Sequence, residues 1–256
     1  MNTKLKKQVI NNIAPITLDE CVYMSDGSTL KDKLLNAGGT DWSNLKWVAF
    51  GDSITDETIK QADRKYCHII AEKTGINMVN FGVGGTGYKR RESEGTCFYQ
   101  RMANIPADAD IITILGSVND WTLFNEYNAS YDGFVQGKVT DTLEDNTLCG
   151  YINKCIDVAR ETAPNAKIGI ISPNTSVLND KYVGMIRETL PLVAKHRGIP
   201  YLDLASVDQL RPTDATFGPK YFYDYNTTGG SIVHPNNEGH MWMYPPILAF
   251  MKSILG

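Results

Sequence analysis

The chain has 256 residues, of which 42% are hydrophobic and 21% charged, with a net charge of −4. That length carries one sizeable core and is short for two full domains. No Lys/Arg stripe exists to neutralise phosphates, which excludes a nucleic-acid binder, and no run approaches the ~18 apolar residues of a membrane span.

The N-terminal stretch MNTKLKKQVINNIAPITLDE has lysines but no apolar core, so it does not read as a signal peptide. Synthesis in the cytoplasm is expected, with delivery outside, if any, by another route than general secretion. Residues 1–40 are polar and end in Asn36-Ala37-Gly38-Gly39-Thr40, a flexible joint by composition. A turn at residues 25–28 and a helical spacing over 29–35 make this a small appendage, too slight to bury much by itself. It is expected to pack on a partner or on another copy of the chain. The main domain is expected over 41–256.

From residue 41 strand and helix signals alternate. Residues 46–50 read as a strand that stops abruptly at Gly51-Asp52-Ser53. A helix is expected over 64–74, closed by Gly75. Strands follow at 78–81 and 111–115. Residues 127–150 are polar and loop-like, with Tyr127, Tyr131 and Phe134; they read as a lid or a long insertion. A helix at 152–162, a strand at 167–171, a helix at 180–196, a strand at 201–204 and a mostly helical 235–255 complete the pattern. Such alternation predicts an α/β fold, a parallel sheet covered on both faces. Its chemistry sits at the carboxyl ends of the strands.

Five cysteines, Cys21, Cys67, Cys97, Cys149 and Cys155, are widely spaced without a CxxC pair. Mostly reduced thiols are expected, with neither a zinc site nor a disulfide framework. HExxH is absent, and His240 lies six residues past His234, which is not a metal-chelating helical spacing; no metal is expected. Gly82-x-Gly84-x-x-Gly87 formally fits a dinucleotide fingerprint. It follows the second strand rather than the first, however, and the charged Tyr88–Glu94 stretch opens no apolar helix. No cofactor is expected.

The strand ends carry a second pattern. Gly51-Asp52-Ser53 follows the first strand, Gly82-Val83-Gly84-Gly85-Thr86 the second and Gly116-Ser117-Val118-Asn119-Asp120 the third. Ser231-Ile232-Val233-His234-Pro235-Asn236 precedes the last helix. A serine, a histidine and a set of N–H donors gathered at one sheet edge suit acyl transfer. The hydroxyl needs a base, histidine titrates near neutral pH, and the tetrahedral oxyanion needs preorganised donors. Ser53 N–H, Gly85 N–H and the Asn119 amide supply three such donors. Read alone, Ser53 with Asp56 three residues on also fits a helix-capping pattern, and His234 an ordinary histidine.

These four blocks, in this order over roughly residues 45–255, resemble those of the SGNH (GDSL) hydrolases. The resemblance implies a flavodoxin-like three-layer α/β sandwich with a central parallel sheet. It also implies ester hydrolysis, commonly of acetyl esters on carbohydrates, of lipids or of thioesters. Carried over by position, Ser53 is the nucleophile, His234 the base, and Gly85 and Asn119 complete the oxyanion hole with Ser53. Two departures stand out. The third block has one residue more than the usual Gly-x-Asn-Asp. Ser231 stands where the family carries an aspartate three residues before the histidine. Three outcomes are open: a Ser–His dyad oriented by a backbone carbonyl or the Ser231 hydroxyl, a carboxylate from elsewhere such as Asp224, or an impaired enzyme. The dyad leads, so Asp224→Asn is expected to cost little.

Asp120 reads as a loop-fixing residue. Trp121 and Tyr223 are candidate substrate contacts; the cluster Tyr221-Phe222-Tyr223-Asp224-Tyr225 reads as a sugar-binding groove or an edge strand. Aromatic rings over a polar substrate fit an acylated carbohydrate better than a long acyl chain. A glycan-binding module with lost catalysis and a nucleotide-cofactor enzyme are the rival functions. Residues 18–30 further resemble segments of phage tail and baseplate proteins, which implies an extracellular role within a particle and a homotrimer through the appendage.

Overall fold

A computed structural model describes residues 42–124, 134–174, 180–225 and 232–255. The expected appendage over 1–40, with the homotrimer and phage-particle expectations that rest on it, lies outside them, as do Tyr127, Tyr131 and Ser231.

In chain order the elements are β1 (Lys46–Gly51), α1 (Tyr66–Thr74), β2 (Asn77–Gly82), α2 (Phe98–Met102), β3 (Ile111–Leu115), α3 (Leu148–Thr162), β4 (Lys167–Ile171), α4 (Asp180–Arg197), β5 (Tyr201–Leu202), α5 (Leu204–Val207), α6 (Gly218–Tyr221) and α7 (Asn237–Leu255). The five strands form one sheet in the order β2-β1-β3-β4-β5, parallel throughout. This is the flavodoxin-like order, and it reverses at β1, whose neighbours β2 and β3 lie on opposite sides. Crevices that bind ligands open at such reversals, beyond the carboxyl ends of the strands.

Burial explains the apolar runs. Trp47, Val48, Ala49 and Phe50 are wholly buried, as are Ile111, Ile112, Ile114 and Leu115. A central parallel strand has both faces covered, so it reads as a continuous apolar stretch rather than an alternation. Val48, Phe50, Ile112, Ile114, Ile168 and Ile170 point into one core layer with residues of α2, α3 and α4. On the other face Trp47 meets Tyr66 of α1, and Gly169 of β4 leaves room for Phe250 and Ile254 of α7.

Element ends differ from the expectations for local reasons. The strand expected over 201–204 stops at Leu202, because the Asp203 side chain accepts the Ser206 N–H and starts α5. The α3 helix begins at Leu148 rather than 152, capped by Thr147, whose hydroxyl accepts the Gly150 N–H. The short α2 and α6 have too few residues to show a helical period. Phe134, expected in a lid or insertion, is buried against Phe124 and Tyr151. After Gly87 the chain passes through a 3-10 turn at Glu92–Glu94 before α2 begins at Phe98, so no long helix opens directly on the glycine pattern.

Candidate active site

β1 delivers its terminal residues at the reversal point of the sheet. Thr55 N–H and Asp56 N–H both donate to Asp52 O, at 3.1 and 2.9 Å, so the chain turns sharply at Ser53. The turn packs hard against the sheet. A side chain at Gly51 would collide with the Thr55 hydroxyl and lie 2.7 Å from Leu115 O, so only glycine fits there.

Ser53 Oγ lies 2.9 Å from His234 Nε2. His234 Nδ1 lies 2.9 Å from Asp224 Oδ2. The Asp224 carboxylate also accepts the backbone N–H groups of Val233 and His234, at 3.0 and 3.1 Å from Oδ2. Burial pushes the Asp224 carboxyl up, but the hydrogen bonds from the His234 ring and these two N–H groups outweigh it and hold it below its usual value. An ionised Asp224 accepts the proton on Nδ1, which leaves the Nε2 lone pair to accept from the Ser53 hydroxyl. This geometry can move a proton from Ser53 to the imidazole. Of the three outcomes left open by the sequence, this geometry is that of a carboxylate from elsewhere, Asp224, at the second ring nitrogen. The Ser53 hydroxyl faces the histidine, and the residues after it form a turn rather than a helix.

Asp224 reaches the ring through backbone pairing. Phe222 and Pro235 form an antiparallel bridge, Tyr223 N–H donates to His234 O at 2.9 Å, and Asn236 N–H donates to Tyr221 O at 3.0 Å. The two segments therefore run past each other, and a residue ten positions earlier lies across from the histidine.

The expected oxyanion donors sit on loops held by a dense network. Gly85 has φ +75°, a left-handed conformation that glycine adopts without strain. Gly84 N–H donates to Asp56 Oδ2 at 2.7 Å. Among the described residues the Ser53 and Gly85 N–H groups donate to no acceptor. The Asn119 amide nitrogen donates to Thr86 O at 2.9 Å, which uses one of its two hydrogens. Ser117 Oγ accepts Asn119 N–H at 2.9 Å and donates to the same Thr86 carbonyl at 3.2 Å. Ser117 of the lengthened third block thus ties the loop after β3 to the loop after β2.

Three buried charged groups shape this rim. Asp120 accepts the N–H groups of Tyr88, Lys89 and Arg90, at 2.8, 3.1 and 2.9 Å, and so fixes the loop beyond Gly85. Its carboxyl is nevertheless pushed up by burial. Asp52 is fully buried; burial raises its carboxyl to about 6, against the opposing hydrogen bond from Ile54 N–H and the nearby His234. Arg101 of α2 donates to Phe81 O at 2.6 Å, Gly51 O at 2.9 Å, Thr96 O at 3.0 Å and Thr86 Oγ1 at 3.1 Å. Its guanidinium lies over the Phe50 and Phe98 rings. One cation therefore joins the ends of β1 and β2 to the loop that carries Gly85. Sequence reasoning missed it, because an arginine in a five-residue helix carries no periodic signal.

The two expected substrate contacts part company. Trp121 is half-buried against the core layer that includes Phe124 and Leu148. Tyr223 is 58% exposed and lines a surface groove with Lys60, Gln61, Asp63, Asn237 and Glu238. The remaining histidine near the site, His240, is fully buried; its Nδ1 accepts Tyr66 N–H at 3.2 Å.

Known structures share this fold. A protein from Lactobacillus plantarum is 20% identical, with a TM-score of 0.65 over 82% of this chain and 97% of its own. Phospholipase A1 from Streptomyces albidoflavus is 15% identical, with a TM-score of 0.54 over 82% of this chain and 98% of its own. A family two carbohydrate esterase from Clostridium thermocellum, solved in complex with cellohexaose, is 16% identical, with a TM-score of 0.53 over 83% of this chain and 65% of its own. At these identities the likeness is one of fold. No curated protein matches the chain. Residues 49–242 match the GDSL-like lipase/acylhydrolase family, and that span runs from β1 through Ser53 and His234 into α7. The chain belongs to the GDSL-like lipase/acylhydrolase family.

Proposed function

We propose that the protein is a serine esterase that removes O-acetyl groups from a carbohydrate. The observation that carries this reading is the hydrogen-bonded line from Ser53 Oγ through the His234 ring to Asp224. As Ser53 Oγ attacks the ester carbonyl, His234 Nε2 takes its proton, and Asp224 holds the ring and offsets the imidazolium charge. Ser53 N–H, Gly85 N–H and the Asn119 amide then meet the oxyanion; each such donor is typically worth about 3 kcal/mol in the barrier. His234 returns the proton to the departing sugar oxygen. Water, activated by the same ring, releases acetate from the acyl-serine.

A polar substrate is favoured over a long acyl chain by the groove beside the His234 segment, where Tyr223 is the exposed ring among charged and amide side chains. One structural neighbour is itself a carbohydrate esterase. The rival reading, a glycan-binding module with lost catalysis, drew its force from Ser231 standing in place of an acid. Asp224 at 2.9 Å supplies that acid. The test is acetate release from acetylated xylan together with fluorophosphonate labelling. Release with label on Ser53 supports the proposal; no label and no turnover of any acetyl ester would end it.

A further inference from the structure

We propose that the groove between residues 60–63 and the segments flanking His234 binds the alcohol side of the ester, a saccharide. The inference rests on the esterase reading and names which half of the substrate is held and where.

The direction of proton transfer decides the half. In collapse of the tetrahedral intermediate the imidazolium gives its proton to the leaving oxygen, so the C–O bond breaks as an O–H bond forms at His234 Nε2. The alcohol must therefore lie on the histidine side of Ser53. The oxyanion donors, Ser53 N–H after β1 and the groups on the loops after β2 and β3, meet the carbonyl oxygen instead.

The groove borders the segments that pair with and follow His234. Tyr223 hydrogen-bonds His234 through the backbone, and Asn237 and Glu238 follow the histidine in the chain. The opposite wall is fixed to this one: Asp63 N–H donates to Asn237 Oδ1 at 2.8 Å and Asn237 Nδ2 donates to Asp63 Oδ2 at 2.9 Å. The cavity measures about 440 Å³, within the ~300–1,000 Å³ of small-molecule sites.

Its chemistry fits a sugar. The Tyr223 ring is open to solvent and offers an apolar face to sugar C–H groups. Around it, Lys60 provides donors, Glu238 acceptors and Gln61 both, which suits hydroxyls that donate and accept at once. An acyl chain would leave all of these groups unmatched.

The test separates binding from chemistry. Ser53→Ala, which cannot form the acyl-enzyme, is titrated with acetylated xylohexaose by calorimetry. Binding is expected, with amide NMR shifts at residues 60–63 and 237–238. Adding Tyr223→Ala is expected to weaken it about tenfold, and adding Lys60→Ala instead to weaken it severalfold. Both side chains are at the surface, and unchanged melting temperatures would show that the fold is kept. No binding to Ser53→Ala, or an unchanged Kd in both double variants, would overturn the proposal. Turnover of p-nitrophenyl acetate by the wild-type protein, measured alongside, reports on the esterase reading independently.

Discussion

Asp224 Oδ2 lies 2.9 Å from His234 Nδ1, although ten residues separate the two in the chain. The carboxylate is placed by an antiparallel pairing of residues 221–224 with 233–236, and is further anchored by two backbone N–H groups. A rigidly held acceptor of this kind fixes the imidazole tautomer as well as its orientation.

Asp224→Asn should therefore lower kcat by about 10²–10⁴-fold with little change in KM, since an amide at this place favours the wrong tautomer. Steady-state kinetics on p-nitrophenyl acetate check this. A harmless Asp224→Asn beside a damaging Ser231→Ala would show that the ring is oriented by the serine instead.

The lowered Asp224 carboxyl also has a sign in stability. A carboxyl held below its ordinary value stabilises the fold above that ordinary value, and the contribution is lost as pH falls through the folded value. Wild type should lose stability relative to Asp224→Asn as pH is taken from 5 towards 3, read by urea unfolding at each pH. Parallel curves for the two proteins would contradict the linkage.

Asp52 should behave in the opposite sense. Its carboxyl is raised to about 6, mainly by complete burial, so ionisation disfavours the folded state. The penalty is absent below the ordinary value of 3.8, grows as pH rises, and is complete above about 6. Relative to Asp52→Asn, the wild-type protein should lose on the order of 3 kcal/mol between pH 4 and pH 7. A difference independent of pH in denaturant titrations would refute this assignment.

Asn119→Ala should reduce kcat by about 10²–10³-fold, the usual effect of losing one oxyanion donor. The loss should fall on kcat more than on KM, because the donor acts where charge develops. Since the amide also holds Thr86 O, Asn119→Asp is a useful companion: it removes the donor while keeping the size. Equal kcat in all three proteins would remove Asn119 from the oxyanion hole.

Arg101→Met should cost stability on the order of 3 kcal/mol, because buried carbonyls of Gly51 and Phe81 lose a charged donor. Burial lowers the guanidinium only to about 10, so it stays charged at neutral pH. The same substitution should lower kcat, as the Gly85 loop loses its tie to β1 through Thr86 Oγ1. Urea unfolding and kinetics on the same sample separate the two effects; an unchanged midpoint would show that the network carries no load.

Much of this protein was legible in its residues. Continuous apolar runs such as 47–50 and 111–115 announced buried parallel strands, and glycine-rich stops marked where they end. The blocks Gly51-Asp52-Ser53 and His234-Pro235-Asn236 pointed to a hydroxyl and an imidazole, because few other roles require those residues at such places. Tyr223 was singled out by its company of aromatic residues, and Trp121 by its place after Asn119-Asp120; folding separated them, since Trp121 packs against the core and Tyr223 stays at the surface.

The order of local elements follows from the sequence alone, because propensity, apolar period and turn chemistry act over a few residues, and its motifs named the candidate reactive side chains. Which groups meet did not. Asp224 reaches the His234 ring only because an antiparallel bridge between Phe222 and Pro235 folds one segment back along the other. Arg101 joins the ends of β1 and β2 only because α2 packs across them. Contacts of this kind are set by the packing of whole layers, whose geometry no short window of residues contains.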